Sequence, residues 1–210
     1  MSALITGKVL ESGSILTPKG RLIVFNNSLF EPQLPRGETD KAKAKFQATL
    51  LLPADADLTI LKKAVADCAK AEFSEKQRKG LKSPFLKTED QERYVEYADD
   101  YPALIRCSAN YKPDVVNQSS TGNIDEEDAP DEVYSGRWAR FSVRVYAWDH
   151  PTGGRGISLG LNNVQVLDND EAIAGGKVKG LSEFGSADGD GGLADLEDDE
   201  TSDNEEGMFE

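Results

Sequence analysis

Residues 137–148, which read RWARFSVRVYAW, constrain the fold more than any other segment of the sequence. Every second side chain is apolar, and the residues between them are aromatic, cationic or small and polar. A strict two-residue period over this length is typical of a β-strand with one buried face. Because a lone strand cannot bury that face, the segment predicts a sheet or barrel that supplies partner strands.

Four further segments show strand patterns bounded by turn residues. They are residues 21–25, 42–52, 104–111 and 156–167. Apolar residues at helical spacing predict a helix from Asp55 or Asp57 to about Ala69. Residues 88–98 are predicted to form a second helix, because they begin with capping-box spacing. The sequence therefore predicts a mainly β domain, a small five-stranded antiparallel sheet or barrel with two inserted helices.

The acidic residues are distributed unevenly along the chain. There are 24 Lys and Arg against 38 Asp and Glu, a net charge of −14 that by itself argues against a nucleic-acid partner. Residues 188–210 hold eleven of the acids and no base, and residues 125–132 hold six more. What remains is 24 bases against 21 acids, so the predicted domain is slightly basic.

The last part of the chain differs in composition from the rest. Residues 175–192 are rich in Gly, Ser and Asp, which is typical of a flexible linker. Residues 193–210 are acidic and have Met208 and Phe209 as their last apolar residues. Such a segment buries too little apolar surface to fold alone. We expect a domain at 1–174, a linker at 175–192 and a disordered acidic tail at 193–210.

Residues for common catalytic and metal sites are scarce. One histidine, His150, and two cysteines cannot supply a zinc site of the usual spacing, and nothing around His150 marks it as catalytic. No glycine-rich phosphate-binding motif is present. We expect a non-enzymatic protein with no catalytic residue, metal or cofactor. Since no apolar run approaches the roughly 20 residues of a membrane-spanning helix, we also expect a cytoplasmic protein without membrane contact. The sequence leaves its oligomeric state open.

The polar face of residues 137–148 interleaves rings with guanidinium groups. Trp138, Tyr146 and Trp148 alternate there with Arg140 and Arg144. Single-stranded nucleic acid needs this combination, because rings stack on unpaired bases while cations follow the phosphates. The alternative is that the rings lie under a helix or at a subunit contact.

Other segments add cations and rings to this candidate DNA-binding set. They are Lys43 and Lys45 on the second strand, Tyr111 and Lys112 after the third, Lys82, Phe85 and Lys87 in a basic loop, and Arg93 and Tyr97 beyond it. The loop is suited to closing over a DNA strand, and a solvated connection is the alternative.

Three stretches resemble a known family, the phage single-stranded DNA-binding proteins typified by an Enterobacter phage protein. They are residues 43–53 (KAKFQATLLLP), 133–136 (VYSG) and 156–165 (GISLGLNNVQ). The resemblance covers most of residues 15–175. It implies an OB-fold elaborated with helices that binds single-stranded DNA without catalysis during phage replication or recombination.

The tail is similar to those of bacterial and phage single-stranded DNA-binding proteins, whose acidic ends carry a near-terminal Phe that docks replication partners. The corresponding candidate residues here are Asp198, Asp199, Glu200, Glu205, Glu206, Met208 and Phe209. Glu210 follows Phe209, which disfavours a pocket that needs a terminal Phe carboxylate. We expect the tail to compete with DNA for the basic surface and to recruit replication or recombination proteins.

Two other classes of function remain open at this point. An acidic interaction protein, such as a DNA mimic or a virion β-domain, would account for the net charge. A metal-dependent nuclease could use Asp99 and Asp100 or the acids of residues 125–128, but no lysine or histidine arrangement accompanies them.

Overall fold

The computed structural model describes residues 7–35 and 37–173. The predicted linker and tail lie outside these residues. Within them, nine strands form one sheet: β1 (Lys8–Val9), β2 (Ile15–Leu16), β3 (Gly20–Ile23), β4 (Phe46–Leu52), β5 (Phe85–Lys87), β6 (Ala103–Ala109), β7 (Asp114–Val116), β8 (Trp138–His150) and β9 (Gly154–Val166). The helices are α1 (Thr59–Glu72), α2 (Glu75–Arg78) and α3 (Ala129–Glu132), and 3-10 turns lie at Lys41–Lys43 and Val95–Tyr97.

Five of the strands close into a barrel. β3 pairs with β4, β4 with β6, β6 with β9, β9 with β8, and β8 again with β3. This confirms the mainly β, OB-fold-like barrel predicted from the sequence. One pairing differs from the antiparallel prediction, because β6 and β9 run parallel. A closed ring of five strands cannot alternate direction at every contact, so one pair must be parallel.

The four short strands lie outside the ring. β2 pairs with β8 and carries β1 at its other edge, β5 pairs with β6, and β7 runs parallel to β9. They extend the barrel sheet without altering its closure.

The alternating side chains of β8 fill the barrel as the sequence predicts. Ala139, Phe141 and Val143 are fully buried. They pack with side chains from the other barrel strands, among them Leu22, Leu50, Ile105, Leu159 and Val164. Burying a side chain such as Phe141 contributes roughly 1.5–3 kcal/mol to the stability of the folded state. The alternating apolar side chains of β8 therefore stabilise the barrel core.

A β-bulge divides the long β8–β9 ladder into two halves. Ser142 pairs with Asn163, but Val143 pairs with Leu161, so Asn162 is an extra residue in β9. The inward positions of β9 change there from odd to even numbers, which keeps both Leu161 and Val164 in the core. A bulge bends a strand and increases its twist. The two halves of the outer face of β8 therefore lie in different surroundings.

The first predicted helix is confirmed as α1. The Asp57 carboxylate accepts a hydrogen bond from the Thr59 amide, 2.9 Å away, and starts the helix. Leu61 is fully buried and packs in the barrel core, with Ala64 and Val65 partly buried beside it. α1 contacts β8 and β9 and so covers this side of the barrel.

The predicted helix at residues 88–98 is wrong in extent. Hydrogen bonds from the amides of Gln91, Tyr94 and Tyr97 each reach the carbonyl three residues earlier, and only Val95–Tyr97 is a 3-10 turn. Tyr94 is buried against Ile23 in a small apolar cluster on the outer side of the sheet. Residues 88–98 therefore follow the sheet as a series of tight turns, in which Tyr94 packs against the sheet.

A buried arginine ties the end of the described chain to the barrel. Arg21, which is 8% exposed, donates hydrogen bonds to the Gly136 carbonyl, the Glu171 carbonyl and the Asp170 carboxylate. Trp138 donates from Nε1 to the same carboxylate at 2.8 Å. Arg21 also donates to the Tyr101 hydroxyl at 3.3 Å. We call Arg21, Tyr101, Trp138 and Asp170 the Arg21 cluster. It fixes residues 168–173 across the outer face of the sheet.

The Arg21 cluster predicts an acid-sensitive contribution to stability. Burial alone would raise the pKa of Asp170, but hydrogen bonds from the Glu171 amide and Trp138, with the charge of Arg21, lower it below the usual 3.8. The carboxylate therefore stabilises the fold above that pH, and this contribution is lost as the pH falls through the lowered value. Asp170→Asn is expected to lower the Tm by a few degrees at neutral pH. The difference should close in thermal melts near pH 2.

The matched control is Asp99→Asn, since Asp99 is an exposed acid outside the Arg21 cluster. It should leave the Tm unchanged at both pH values. An Asp170→Asn difference that persists at acid pH would contradict the electrostatic explanation.

Candidate nucleic-acid interface

A groove of about 590 Å³ follows the outer face of β4 and β6. Thr49 lies opposite Arg106 and Gln47 opposite Ser108 in the ladder, so these four side chains form its floor. One wall is the connection from β3 to β4, which contributes Phe25, Leu34 and Pro35, and the other is the turn segment with Arg93 and Tyr94. The groove is therefore open to solvent above a rigid two-strand floor.

Two further cavities continue this groove at its ends. One, of about 210 Å³, shares Phe25 and Arg93 with it and extends to Tyr97 and Ile173. The other, of about 470 Å³, shares Ser108 and is lined also by Lys45, Ala109, Asn110, Arg144 and Tyr146. We call the three connected cavities the trough.

Cations dominate the charge of the trough. Lys45, Arg93, Arg106 and Arg144 line it, and Glu96 is the one carboxylate among its described lining residues. Within residues 7–35 and 37–173, none of the four cations has an ion pair. Exposed cations without a carboxylate partner produce a positive potential that attracts phosphate.

Aromatic rings are distributed along the same path. The Phe25 ring, 44% exposed, has the Arg93 guanidinium 5.6 Å from its centroid. Tyr146, 37% exposed, lies beside Arg144 at the far end, and Tyr97 lines the near end. Burial raises the pKa of Tyr94 against the opposing effects of the nearby cations, so its hydroxyl stays neutral. The trough combines stacking surfaces with positive charge.

Gly160 allows Arg144 to reach the trough. The two residues lie opposite each other in the β8–β9 ladder, and Gly160 also pairs with Ser108 of β6. A Cβ at position 160 would lie 2.8 Å from Arg144 Nε and 2.9 Å from its Cγ, which is too close. The Arg144 side chain therefore crosses β9 over a residue that has no side chain.

The structure places five of the predicted site residues together in the trough. They are Lys45, Arg93, Tyr97, Arg144 and Tyr146. They come from β8, the approach to β4 and the turn segment after β5, which are distant in sequence. Closure of the barrel brings them to one surface.

Three of the other predicted lysines form exposed ion pairs. Lys43 pairs with Glu38 at 2.6 Å, Lys87 with Glu89 at 2.9 Å, and Lys112 with Glu126 at 3.6 Å. Lys112 also lies 5.2 Å from the Phe30 ring centroid. Each is therefore partly neutralised where it stands, in contrast to the four trough cations.

The remaining predicted rings are dispersed. Trp138 belongs to the Arg21 cluster, and Phe85 packs against the barrel core. Trp148 donates from Nε1 to the Ser158 hydroxyl and has the Lys82 amino group 5.7 Å from its ring centroid. Tyr111 is 83% exposed beyond the end of β6.

Arg140 lies in the half of β8 that precedes the bulge. It donates from Nε to the Gln165 side chain at 2.7 Å, and partial burial lowers the pKa of its guanidinium. In the β8–β9 ladder Arg140 lies opposite Gln165, whereas Arg144 lies opposite Gly160, so the two arginines share a face by alternation but have different neighbours.

Sequence reasoning missed several residues of the trough. These are Phe25, Gln47, Thr49, Arg106, Ser108 and Asn110. Arg106, Ser108 and Asn110 alternate with buried residues of the predicted strand at 104–111, so the outward face of that strand was a signal for them. Phe25 lies two residues beyond the end of β3 at Ile23, where strand alternation no longer predicts the direction of its side chain.

The described residues contain no group of three or more His, Cys, Asp or Glu side chains placed to hold a metal ion. Nor does any helix among them have the length and apolar character that a membrane crossing requires.

Comparison with known proteins gives matches at the level of family and fold. Putative protein p50 of Acyrthosiphon pisum secondary endosymbiont phage 1 is 27% identical over 99 residues, 47% of this chain and 50% of p50. The chain therefore spans about half the length of this relative.

Two solved structures share the fold. The single-stranded DNA-binding protein from bacteriophage Enc34, as a C-terminal truncation, has a TM-score of 0.61 at 19% identity, covering 82% of this chain and 95% of that one. The same phage protein in complex with ssDNA has a TM-score of 0.59 at 18% identity, covering 82% and 96%. The family model described as Enterobacter phage Enc34, ssDNA-binding protein, matches residues 14–194. Since this match extends over most of the sequence, the chain belongs to the Enc34 ssDNA-binding protein family.

Proposed function

We propose that this protein binds single-stranded DNA in the trough without sequence preference. The observation that carries the proposal is the coincidence, along one open path, of exposed rings with four cations that have no ion pair among residues 7–35 and 37–173. Stacking on a ring tolerates any base, because every base has a π face, and each stacked base contributes roughly 1–3 kcal/mol. A related phage protein of the same fold was solved in complex with ssDNA, which supports single-stranded DNA binding by this chain.

In this proposal the protein protects and organises exposed strands during phage DNA replication or recombination. The role is one of binding, and no trough residue is assigned a catalytic step. The acidic residues of 188–210 compete with phosphate for the trough cations, and the end of the tail recruits partner proteins. The high density of acids there and the Met208–Phe209 pair support both parts.

The proposal is tested by titrating the full-length protein with labelled single-stranded and duplex oligonucleotides of equal length at several salt concentrations. Four phosphate contacts predict a slope of log affinity against log salt of about −3 for the single strand. Tighter binding to the single strand than to the duplex is expected, because stacking needs unpaired bases. An affinity that does not change with salt, or no binding to oligo(dT), would contradict the proposed DNA binding and favour an acidic interaction protein.

The exposed rings of the trough provide a second test of stacking. Tyr146→Ala and Phe25→Ala are each expected to weaken oligo(dT) binding by about 5- to 150-fold, the loss of one stacked base. Fluorescence anisotropy measures this, with thermal melts to show that the fold persists. Val9→Ala removes an exposed apolar side chain from β1 and should leave the affinity unchanged. Equal effects of all three substitutions would contradict a stacking role for the trough.

A further inference from the structure

A second concave site lies between α1 and the segment that leads into β5. Its volume is about 220 Å³. The floor is apolar and includes Val65 and Ala69 of α1, Phe85 of β5 and Ile157 of β9. We call this site the α1 notch. Among the described residues, its lining and that of the trough have no member in common.

Two lysines stand at the rim of the α1 notch. Lys62 and Lys82 both line it, and both are exposed. The Lys82 amino group donates a hydrogen bond to the Gly153 carbonyl at 2.9 Å, and Lys62 has no ion pair within the described part of the chain. No described Asp or Glu lines the notch. The site therefore offers an apolar floor with an uncompensated positive rim.

The ligand that complements this site is a short acidic peptide with an apolar or aromatic side chain. The apolar floor takes the ring, and the two ammonium groups meet flanking carboxylates. The C-terminal residues of this chain have that composition, since Met208 and Phe209 are flanked by Glu205, Glu206 and Glu210. The chain thus carries both members of a complementary pair.

We propose that the α1 notch of one molecule binds residues 205–210 of a second copy of the chain. A contact between two different surfaces of identical molecules repeats in an open row rather than closing in a symmetric pair. A DNA strand arranges bound copies in such a row and raises their local concentration. The α1 notch and the trough are separate, so a docked neighbour leaves the trough available to DNA. The row of copies rests on the proposed function, whereas the notch and its ligand do not.

The test uses the full-length chain with a photo-crosslinking benzophenone side chain in place of Phe209. It is irradiated alone, with oligo(dT) of about 12 nucleotides, which holds about one OB-fold domain, and with oligo(dT) several times longer. We expect crosslinked dimers and higher multimers with the long oligonucleotide and single chains with the short one. Mass spectrometry should place the crosslinks in peptides that include Val65, Ala69 or Leu81.

Two α1 variants provide the matched comparison. Ala66 lines the notch and Ala71 does not, and both are exposed on the same helix. Ala66→Glu should lower the multimer yield by about tenfold, because it sets a carboxylate against the acidic peptide. Ala71→Glu carries the same change of charge and should leave the yield unaltered, with equal thermal melts for both.

With the long oligonucleotide bound, crosslinks confined to one chain, or crosslinks to the trough peptides with Phe25 or Tyr97, would overturn the proposal. So would equal yields from the two variants. Fluorescence anisotropy on the same samples measures whether oligo(dT) is bound. It therefore distinguishes a failure of tail docking from a failure of the proposed DNA binding. If oligo(dT) binds and no multimers form, only the docking inference is lost.

Discussion

Arg106→Glu is expected to lower the affinity for oligo(dT) by about 30-fold, or about 2 kcal/mol. Arg106 projects from the middle of the trough floor, and within the described part of the chain its guanidinium donates to the neutral Gln91 side chain at 2.7 Å and has no ion pair. The substitution removes a phosphate contact and introduces a repulsive charge at the same place. The salt slope should become shallower by about one. Titration by fluorescence anisotropy at three or more salt concentrations measures both quantities.

Lys8→Glu is the matched control for this charge reversal. Lys8 is exposed on β1 and does not line the trough, and the substitution changes the net charge by the same amount. A small, uniform loss is expected from the change in net charge alone. If Lys8→Glu weakened binding as much as Arg106→Glu, affinity would depend on overall charge and the trough would lose its assignment.

Deletion of residues 188–210 is expected to raise the affinity for single-stranded DNA by about tenfold at low salt. The deletion moves the net charge from −14 to −3 and removes the eleven acids that, in the proposed function, compete with phosphate for the trough cations. The gain should shrink as salt rises, because the Debye length falls from about 30 Å at 0.01 M to about 8 Å at 0.15 M. The measurement is parallel titration of the full-length and shortened proteins across this range.

A full-length variant with the eleven acids replaced by Asn and Gln separates charge from chain length. It should bind DNA as tightly as the shortened protein, while Phe209→Ala should bind like the unaltered chain. Unchanged or weaker affinity after deletion would exclude competition by the tail.

The barrel could be predicted because its strands have regular alternation. The predicted segment 137–148 became β8 at Trp138–His150, and the segment 156–167 became β9 at Gly154–Val166. The short strands β1, β2, β5 and β7 escaped prediction, because two or three residues are too few to show a period. The failed helix at residues 88–98 illustrates how tertiary contacts of Tyr94 override a capping signal.

The kinds of side chain in the candidate interface could be predicted, but which residues line the trough could not. Rings and cations on one strand indicated the chemistry, and Arg144 and Tyr146 do line the trough. Alternation also placed Trp138 and Arg140 on that face, yet a bulge at Ser142 and Val143 separates the two halves. The extra residue in β9 leaves no recognisable pattern in the sequence. The division of the β8 face into two halves is therefore visible only in the pairing of β8 with β9.

The space above Gly160 has a consequence for how variation in this family should be interpreted. Position 160 contributes no charge, ring or hydrogen-bonding side chain to DNA, yet any larger residue there would compete with the Arg144 side chain for the same volume. A search for DNA contacts by residue chemistry passes over such a position. If DNA follows the trough as proposed, position 160 is a site where adding bulk, rather than removing a functional group, would move the Arg144 cation and so alter the path of the strand.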